Sequence, residues 1–234
     1  MILRRFEMYA FAGPDAAIAG FARAAGECAR YIPEVLHSAT GRIEGAPPLN
    51  FAWEQAYASP ASYQRYMEHP YHAAMLDRYL MIDSPECVLT ANALGVGLIG
   101  YRADPAEFFL ASGARRVIAM QLREGTEAEF AALAAAHLGK NGMTVSVLRD
   151  NWFGPRWFDA ETIVDPSPVH SHIWEQGFAS IAAARASSAS WREEALRLTH
   201  MMVEMVYAVE PGYGYADPAG RWPELDQVSL RPSP

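Results

Sequence analysis

Phe51-Ala-Trp-Glu-Gln-Ala-Tyr-Ala-Ser59 returns as His172-Ile-Trp-Glu-Gln-Gly-Phe-Ala-Ser180, and this pair decides how the chain is read. Similarity at a fixed offset signals duplicated units, and the offset here, from 51 to 172, is 121 residues. A second pair lies upstream in the same order. Leu3-Arg4-Arg5-Phe6-Glu7-Met8-Tyr9 and Ala114-Arg115-Arg116-Val117-Ile118-Ala119-Met120 each open an apolar run with a double arginine, from 4 to 115 an offset of 111. The second unit therefore carries extra residues between these two features. Gly100, Pro105 and Gly113 mark the join, near 98–113.

Working outward from the repeats, each unit reads β-α-β-β-α-β. In the first, strands are expected at 2–11, 35–44, 50–58 and 86–94. A helix is expected at 14–31, with Ile18, Phe21, Ala22 and Ala25 at helical spacing, and further helix up to residue 80. The second unit gives strands at 115–123, 143–150, 171–179 and 201–209, with helices at 126–138 and 181–198. The expected fold class is α+β: two ferredoxin-like repeats, at 1–100 and 114–210, whose sheets pair into an intrachain, pseudo-dimeric α/β barrel. A linker is expected at 101–113, a pocket wall or lid at 151–169, and an irregular, Pro-containing tail at 211–234. Alternation puts Phe51, Trp53, Gln55 and Tyr57 on one strand face, repeated by His172, Trp174, Gln176 and Phe178. Large aromatics beside an amide suit a polar-lined interior, and plain sheet packing is the alternative.

Composition narrows the function classes. The chain of 234 residues is 51% hydrophobic, enough to bury a core, and carries a net charge of −8 with no run of Lys or Arg. Nucleic acid is therefore not an expected partner, because a phosphate backbone calls for clustered cations. No apolar stretch approaches the roughly 18 residues of a membrane span, and Met1-Ile-Leu-Arg-Arg5 lacks the apolar core of a signal peptide. Two cysteines, Cys28 and Cys87, make neither a disulfide framework nor a multi-cysteine metal site. A cytoplasmic protein is expected.

The segment richest in chemistry is Ser59-Pro60 through Leu76. Ser59 and Pro60 suit the cap and first residue of a helix. Pro70 suits the first residue of a new one, with His69 near its N-cap. That second helix presents His72, Met75, Leu76, Tyr79 and Leu80 as an apolar stripe, and Tyr66 can approach His72 across the break. A helix-start imidazole is biased toward its neutral form and can accept a proton, while a phenol can donate a hydrogen bond to an oxyanion. A packing histidine is the plainer alternative. His170 and His172 share a strand face but lack further metal ligands at a recognisable spacing, so no metal is expected. Gly95-Val-Gly-Leu-Ile-Gly100 lacks the strand–loop–helix context of a phosphate loop and is read as linker.

Tyr66-x-x-His69-Pro70-x-His72, following the strand Trp53–Ser59, resembles the stress-responsive A/B barrel (Dabb) family of the dimeric α/β-barrel superfamily, in a tandem form. The match covers nearly all of the first half, which at this motif resembles the family's olivetolic acid cyclase-type polyketide cyclases. The second half has the element order and the Trp-Glu-Gln strand but no His-Pro-x-His. The resemblance implies a cofactor-independent lyase or cyclase doing aldol or retro-aldol chemistry on a small aromatic, phenolic or polyketide-like molecule. His72 would be the general base and Tyr66 the oxyanion donor. His172 would match a pocket histidine, and Arg5 and Arg116 would stand where the cyclases have another. There an arginine could bind an acidic group or simply pair with a carboxylate. Trp53, Tyr57, Met75, Trp174, Trp152, Phe153 and Trp157 would supply pocket surface. No cofactor and no membrane partner are expected, and a further homodimer of the tandem chain is left open. Two other readings stand beside this one. One is a non-catalytic, small-molecule-binding stress-response protein. The other is haem chemistry, which related dimeric α/β barrels perform and which needs an axial histidine and propionate-binding cations in one pocket.

Overall fold

The computed structural model describes residues 1–45, 48–81, 83–89, 96–103, 113–153, 170–187 and 191–211. The first half runs β1 (Ile2–Tyr9), α1 (Asp15–Tyr31), β2 (Val35–Glu44), β3 (Phe51–Tyr57), α2 (Pro60–Glu68), a π-helical turn (His72–Leu76), α3 (Asp77–Leu80) and β4 (Val96–Ala103). The second runs β5 (Ala114–Leu122), α4 (Glu127–His137), β6 (Met143–Asp150), β7 (His172–Phe178), α5 (Ile181–Ser187), α6 (Arg192–Leu198), β8 (Thr199–Ala208) and the short β9 (Glu210–Pro211). Local chemistry explains several of these bounds. Ile18, Phe21, Ala25, Cys28 and Ala29 give α1 one buried stripe, and Asp15 in its first turn complements the helix dipole. Ser59 caps α2 by accepting from the Ser62 N–H at 3.1 Å, and Pro60 follows as its first residue.

The class is α+β, with one antiparallel sheet in the order β4-β1-β3-β2-β8-β5-β7-β6 and β9 paired to β2. The two halves pair their strands alike: β1 lies between β3 and β4, and β5 between β7 and β8. They meet where Ile43 and Glu44 of β2 pair with Tyr207 and Val206 of β8. At the far edges, Trp152 N–H donates to the Gly100 carbonyl at 2.6 Å, and Gly100 N–H donates to Asn151 Oδ1 at 3.1 Å. The end of β6 is thereby tied to β4.

Register explains why Arg-Arg and Trp-Glu-Gln are the repeated words. Arg5 pairs with Gln55 across the ladder, and Arg116 with Gln176. Period-2 alternation then sends Arg4, Glu54, Arg115 and Glu175 to the opposite face, where the halves confront each other. Arg4 lies 2.9 Å from Glu54 and 3.3 Å from Glu175; Arg115 lies 3.2 Å from Glu54 and 3.0 Å from Glu175. Tyr101 donates to Glu175 and Tyr207 to Glu54, each at 2.6 Å. His37 Nε2 sits 2.8 Å from Glu54 Oε1, and the carboxylate can only accept, so Nε2 carries the proton. Around this quartet pack Phe6, Ile99 and Tyr101 from one half and Val117, Ile173 and Tyr207 from the other. Burial alone would raise the Glu54 carboxyl, but Arg115 and Arg4 hold it well below the usual carboxylate range.

Three sequence expectations change. A first-half strand is expected at 86–94, and the described strand is β4 at Val96–Ala103; within 86–89 Leu89 forms an isolated bridge to Phe11, and 90–94 lie outside the described residues. Residues 96–100 of the Gly-rich stretch read as linker belong to this strand, which runs on through 101–103 of the expected linker. Gly100 is needed there because a Cβ would overlap the Arg4 carbonyl and the Phe153 ring. The face carrying Trp53 and Trp174, read as a polar-lined interior or as plain sheet packing, packs against the helices, and the Glu54 face lines the middle. Of the expected wall at 151–169, residues 154–169 lie outside the described residues, as do linker residues 104–112 and the tail from 212.

Glu54→Gln should lower unfolding free energy by about 3–5 kcal/mol, because it leaves two buried guanidinium groups under-compensated. Glu193→Gln, on exposed α6, should change it by less than about 0.5 kcal/mol. Urea titration of the two variants checks the difference.

Candidate functional site

Between the first-half sheet and its helices, Arg5 sits 4% exposed in a nest of phenols. Its Nη1 donates to Gln55 Oε1 at 2.9 Å and to Tyr57 Oη at 3.3 Å. Its Nη2 pairs with Glu7, which also accepts from Tyr9 Oη. The guanidinium carbon lies 5.1 Å from the Tyr63 ring centroid and 5.5 Å from that of Tyr66. Glu7 thus fixes the cation, while its Nε remains buried without a hydrogen-bond partner.

Tyr66 and His72 meet across the helix break. Their ring centroids are 4.6 Å apart at an interplanar angle of 67°. Pro70 ends the hydrogen-bonding run of α2, and His69 caps the new start, its Nδ1 accepting from the Tyr71 N–H at 3.1 Å. The chain then widens into the π turn, closed by the Asp77 N–H donating to the His72 carbonyl. This turn buries His72 and Leu76 and leaves Met75 half-buried. Tyr66 Oη lies by Gln55 and Arg5 but makes no hydrogen bond of good geometry. His72 Nδ1 is also buried without one; its nearest carboxylate is Asp77, 3.7 Å away. Burial, and then the charges of Arg5 and His69, lower the His72 pKa from 6.5 to about 4, so the imidazole is neutral at pH 7. Burial raises both the Tyr66 phenol and the Asp77 carboxyl.

The other sequence-predicted residues separate into groups. Tyr57 joins the cluster, its ring 5.2 Å from both Tyr63 and Tyr66. Trp53 belongs to the helix-facing core, with its N–H donating to Ser38 at 2.8 Å and its ring edge-on to Phe21. Trp174 repeats this arrangement with Ser146 at 2.9 Å and with Phe130. Arg116 is the counterpart of Arg5 but is met differently, by Gln176, Ser187, the Ala184 carbonyl and Glu204. Trp191 packs beside it in place of the phenols. His172 stays with the second half, its ring nitrogens 3.1 Å from Asp150 and 2.8 Å from Ser171. Tyr66, His72, Arg5 and Tyr57 are therefore brought together, whereas Arg116, Trp174 and His172 are not part of that cluster. Sequence reading missed Glu7 and Asp77, and it placed Gln55 and Tyr63 on inward faces without assigning them to the site. Alternation from Arg5 pointed to Glu7, and helical spacing from Tyr66 pointed to Tyr63.

Among the described residues no group of three His, Cys, Asp or Glu side chains is arranged to hold a metal, and no helix is long and apolar enough to cross a membrane. A cavity of about 560 Å³ opens at the β2–β8 junction, lined in part by Glu44, Leu49, Arg192, Met202 and Glu204. It lies apart from Tyr66 and His72.

No protein-family model matches the chain, and no curated protein does either. Solved structures do match. A candidate monooxygenase from Lactobacillus acidophilus NCFM has 9% identity and a TM-score of 0.53, covering 89% of this chain and 93% of its own. An anthrone oxidase-like protein has 10% identity and a TM-score of 0.56, with 89% and 91% covered. A mutant chlorite dismutase from Candidatus Nitrospira defluvii has 10% identity and a TM-score of 0.53, with 90% and 92% covered. At this identity the likeness shows the fold alone. It nevertheless sets the chain beside monooxygenase and chlorite dismutase-like structures, which overturns the Dabb resemblance and the cofactor-independent lyase or cyclase reading drawn from it. The physical reason lies in the motif itself. Pro70 starts a helix, His69 caps it, and Tyr66 and His72 fill the space beneath, so local folding needs account for the pattern without that family's chemistry.

His37, like His72, is lowered from 6.5 to about 4, first by burial. The unfolded chain therefore binds more protons between those values, so stability should fall as pH drops from about 6.5 to 4 and level off above. Imidazole NMR titration should show both rings unprotonated down to pH 5.5. Titration of either ring near 6.5 would refute the assigned burial.

Proposed function

We propose that this chain is an oxidoreductase that oxidises a small planar phenolic molecule against Arg5, Tyr66 and His72. One observation carries the reading: Tyr66 Oη and His72 Nδ1 are both buried without a hydrogen bond of good geometry, on rings whose centroids stand 4.6 Å apart beside a fixed guanidinium. A buried polar group left unpaired costs about 1–3 kcal/mol, a cost that a bound ligand would offset. The neutral imidazole accepts a proton from a phenol or an activated methylene, Arg5 stabilises the resulting anion, and Tyr66 donates to its oxygen. Such an electron-rich anion is the form that gives electrons to dioxygen. The methylene carbon loses both hydrogens and gains one oxygen atom as a carbonyl, and the other oxygen atom leaves with those hydrogens as water. This conversion balances without a separate reductant. The monooxygenase and anthrone oxidase-like neighbours support this class of chemistry.

The architecture belongs to the same proposal. Residues 1–100 and 114–210 are read as two ferredoxin-like repeats forming one intrachain barrel. The like strand pairings, the reciprocal Arg4/Arg115 and Glu54/Glu175 contacts and the Gly100 bonds to Asn151 and Trp152 support it. We propose, in keeping with this reading, that the protein is cytoplasmic and that its partner is a small aromatic molecule.

Haem is a second reading, favoured by the chlorite dismutase neighbours and by His170, whose Nε2 is buried without a hydrogen-bond partner. The described residues do not complete a haem site around it. Arg116 is already occupied by four partners, and among the described residues the cavity at the β2–β8 junction has no histidine in its lining.

Oxygen-electrode assays with anthrone should show uptake that falls about 10²–10⁴-fold in His72→Ala and also falls in Tyr66→Phe. Unchanged uptake in His72→Ala would overturn the proposal. Haemin titration separates the second reading: a Soret shift lost in His170→Ala would establish it.

A further inference from the structure

The first-half cluster is walled in part by the second half. Asn151 follows β6, and its side chain clamps the turn: Oδ1 accepts from the Gly100 and Phe153 N–H groups at 3.1 and 3.2 Å. Its Nδ2 donates to the Phe153 and His170 carbonyls at 2.8 and 2.9 Å. The turn is thereby bound to β4 of the first half and carries two aromatic side chains onto Tyr63. Phe153 stands edge-on to Tyr63 at 5.5 Å and 86°, and Trp152 at 6.3 Å and 90°. Phe153 is 3% exposed and packs within the first-half core. Trp152 is half-buried, with the Arg102 guanidinium carbon 5.3 Å from its ring centroid. A row of rings thus runs inward from the surface: Trp152, Tyr63, Tyr66 and His72.

We propose that Trp152 and Phe153, delivered by the second half, are specificity-determining residues of the first-half site and select planar fused-ring substrates over single rings. This rests on reading Arg5, Tyr66 and His72 as a substrate site. A ligand anchored by one oxygen at Tyr66 and His72 extends toward Tyr63 only if it has further rings. There two ring planes perpendicular to Tyr63 offer edge and face contacts that a single ring does not reach. The turn is held from both halves, by Gly100 and Arg102 on one side and His170 on the other, so these contacts are set before binding and cost little ordering.

Calorimetric titration of the full chain with phenol, 2-naphthol and anthrone tests this. The wild-type chain should bind anthrone tightest; Trp152→Ala should weaken anthrone about tenfold and leave phenol unchanged, and Trp152→Phe should restore most of the loss. Arg102→Gln removes the cation over the indole without touching the site and should narrow the anthrone-to-phenol ratio in the same direction, which carries the test if Trp152→Ala does not fold. Binding with an unaltered ratio in these variants would overturn the proposal while leaving the site reading intact. A wild-type chain that binds none of the three overturns both.

Discussion

Two arginines and two glutamates, all shielded from water, meet at the centre of this molecule, and the arrangement of everything else depends on their pairing. Arg4 and Arg115 each touch both Glu54 and Glu175. Charges removed from water lose solvation worth several kcal/mol apiece, so such a group is a weak source of stability and a strong source of specificity. Any slip of β1 against β3, or of one half against the other, would strand a charge in an apolar interior. Neutral His37 leaves the quartet balanced at two positive and two negative charges. The hydroxyls of Tyr101 and Tyr207 occupy further carboxylate lone pairs, one from each half.

The same registers that centre the quartet place its neighbours on the outer faces. Arg5 and Arg116 follow Arg4 and Arg115 by one residue, so each must point at its own helices and meet the glutamine after the buried glutamate. The framework is thus repeated, but the helical layers above it are not. Over Arg5 the layer is broken at Pro70 and widened by the π turn, which brings a phenol and a neutral imidazole together with polar atoms unsatisfied. Over Arg116, Ser187, the Ala184 carbonyl and Glu204 take up the guanidinium. One layer gives its arginine carbonyl and hydroxyl acceptors, and the other leaves a phenol oxygen and an imidazole nitrogen unpaired beside it.

A four-residue motif proved a poor guide to kinship. Each residue of Tyr66-x-x-His69-Pro70-x-His72 has a local reason to be where it is, and local reasons recur in unrelated chains. The overall fold integrates many more constraints, and it resembles monooxygenase and chlorite dismutase-like structures instead. Glycine misled in a similar way. Gly95–Gly100 reads as a linker in sequence, yet Gly100 is small because a neighbouring ring and carbonyl leave no space for a side chain.

The sequence by itself determined the element order within each half, most strand and helix positions, the helix break at Pro70 and the approach of Tyr66 to His72. These follow from periodicity, capping and proline sterics, which act over a few residues and are written locally. Sequence reading did not foresee β4, β9, the π turn or the division of the 181–198 helix into α5 and α6. Tertiary structure alone decided which face of the Trp-Glu-Gln strands looks inward, that Glu54 and Glu175 trade arginines between halves, and that Trp152 and Phe153 pack onto the other half's tyrosine. Alternation separates two faces of a strand but cannot say what covers each. That depends on residues more than a hundred positions away, and only the assembled chain brings them within contact distance.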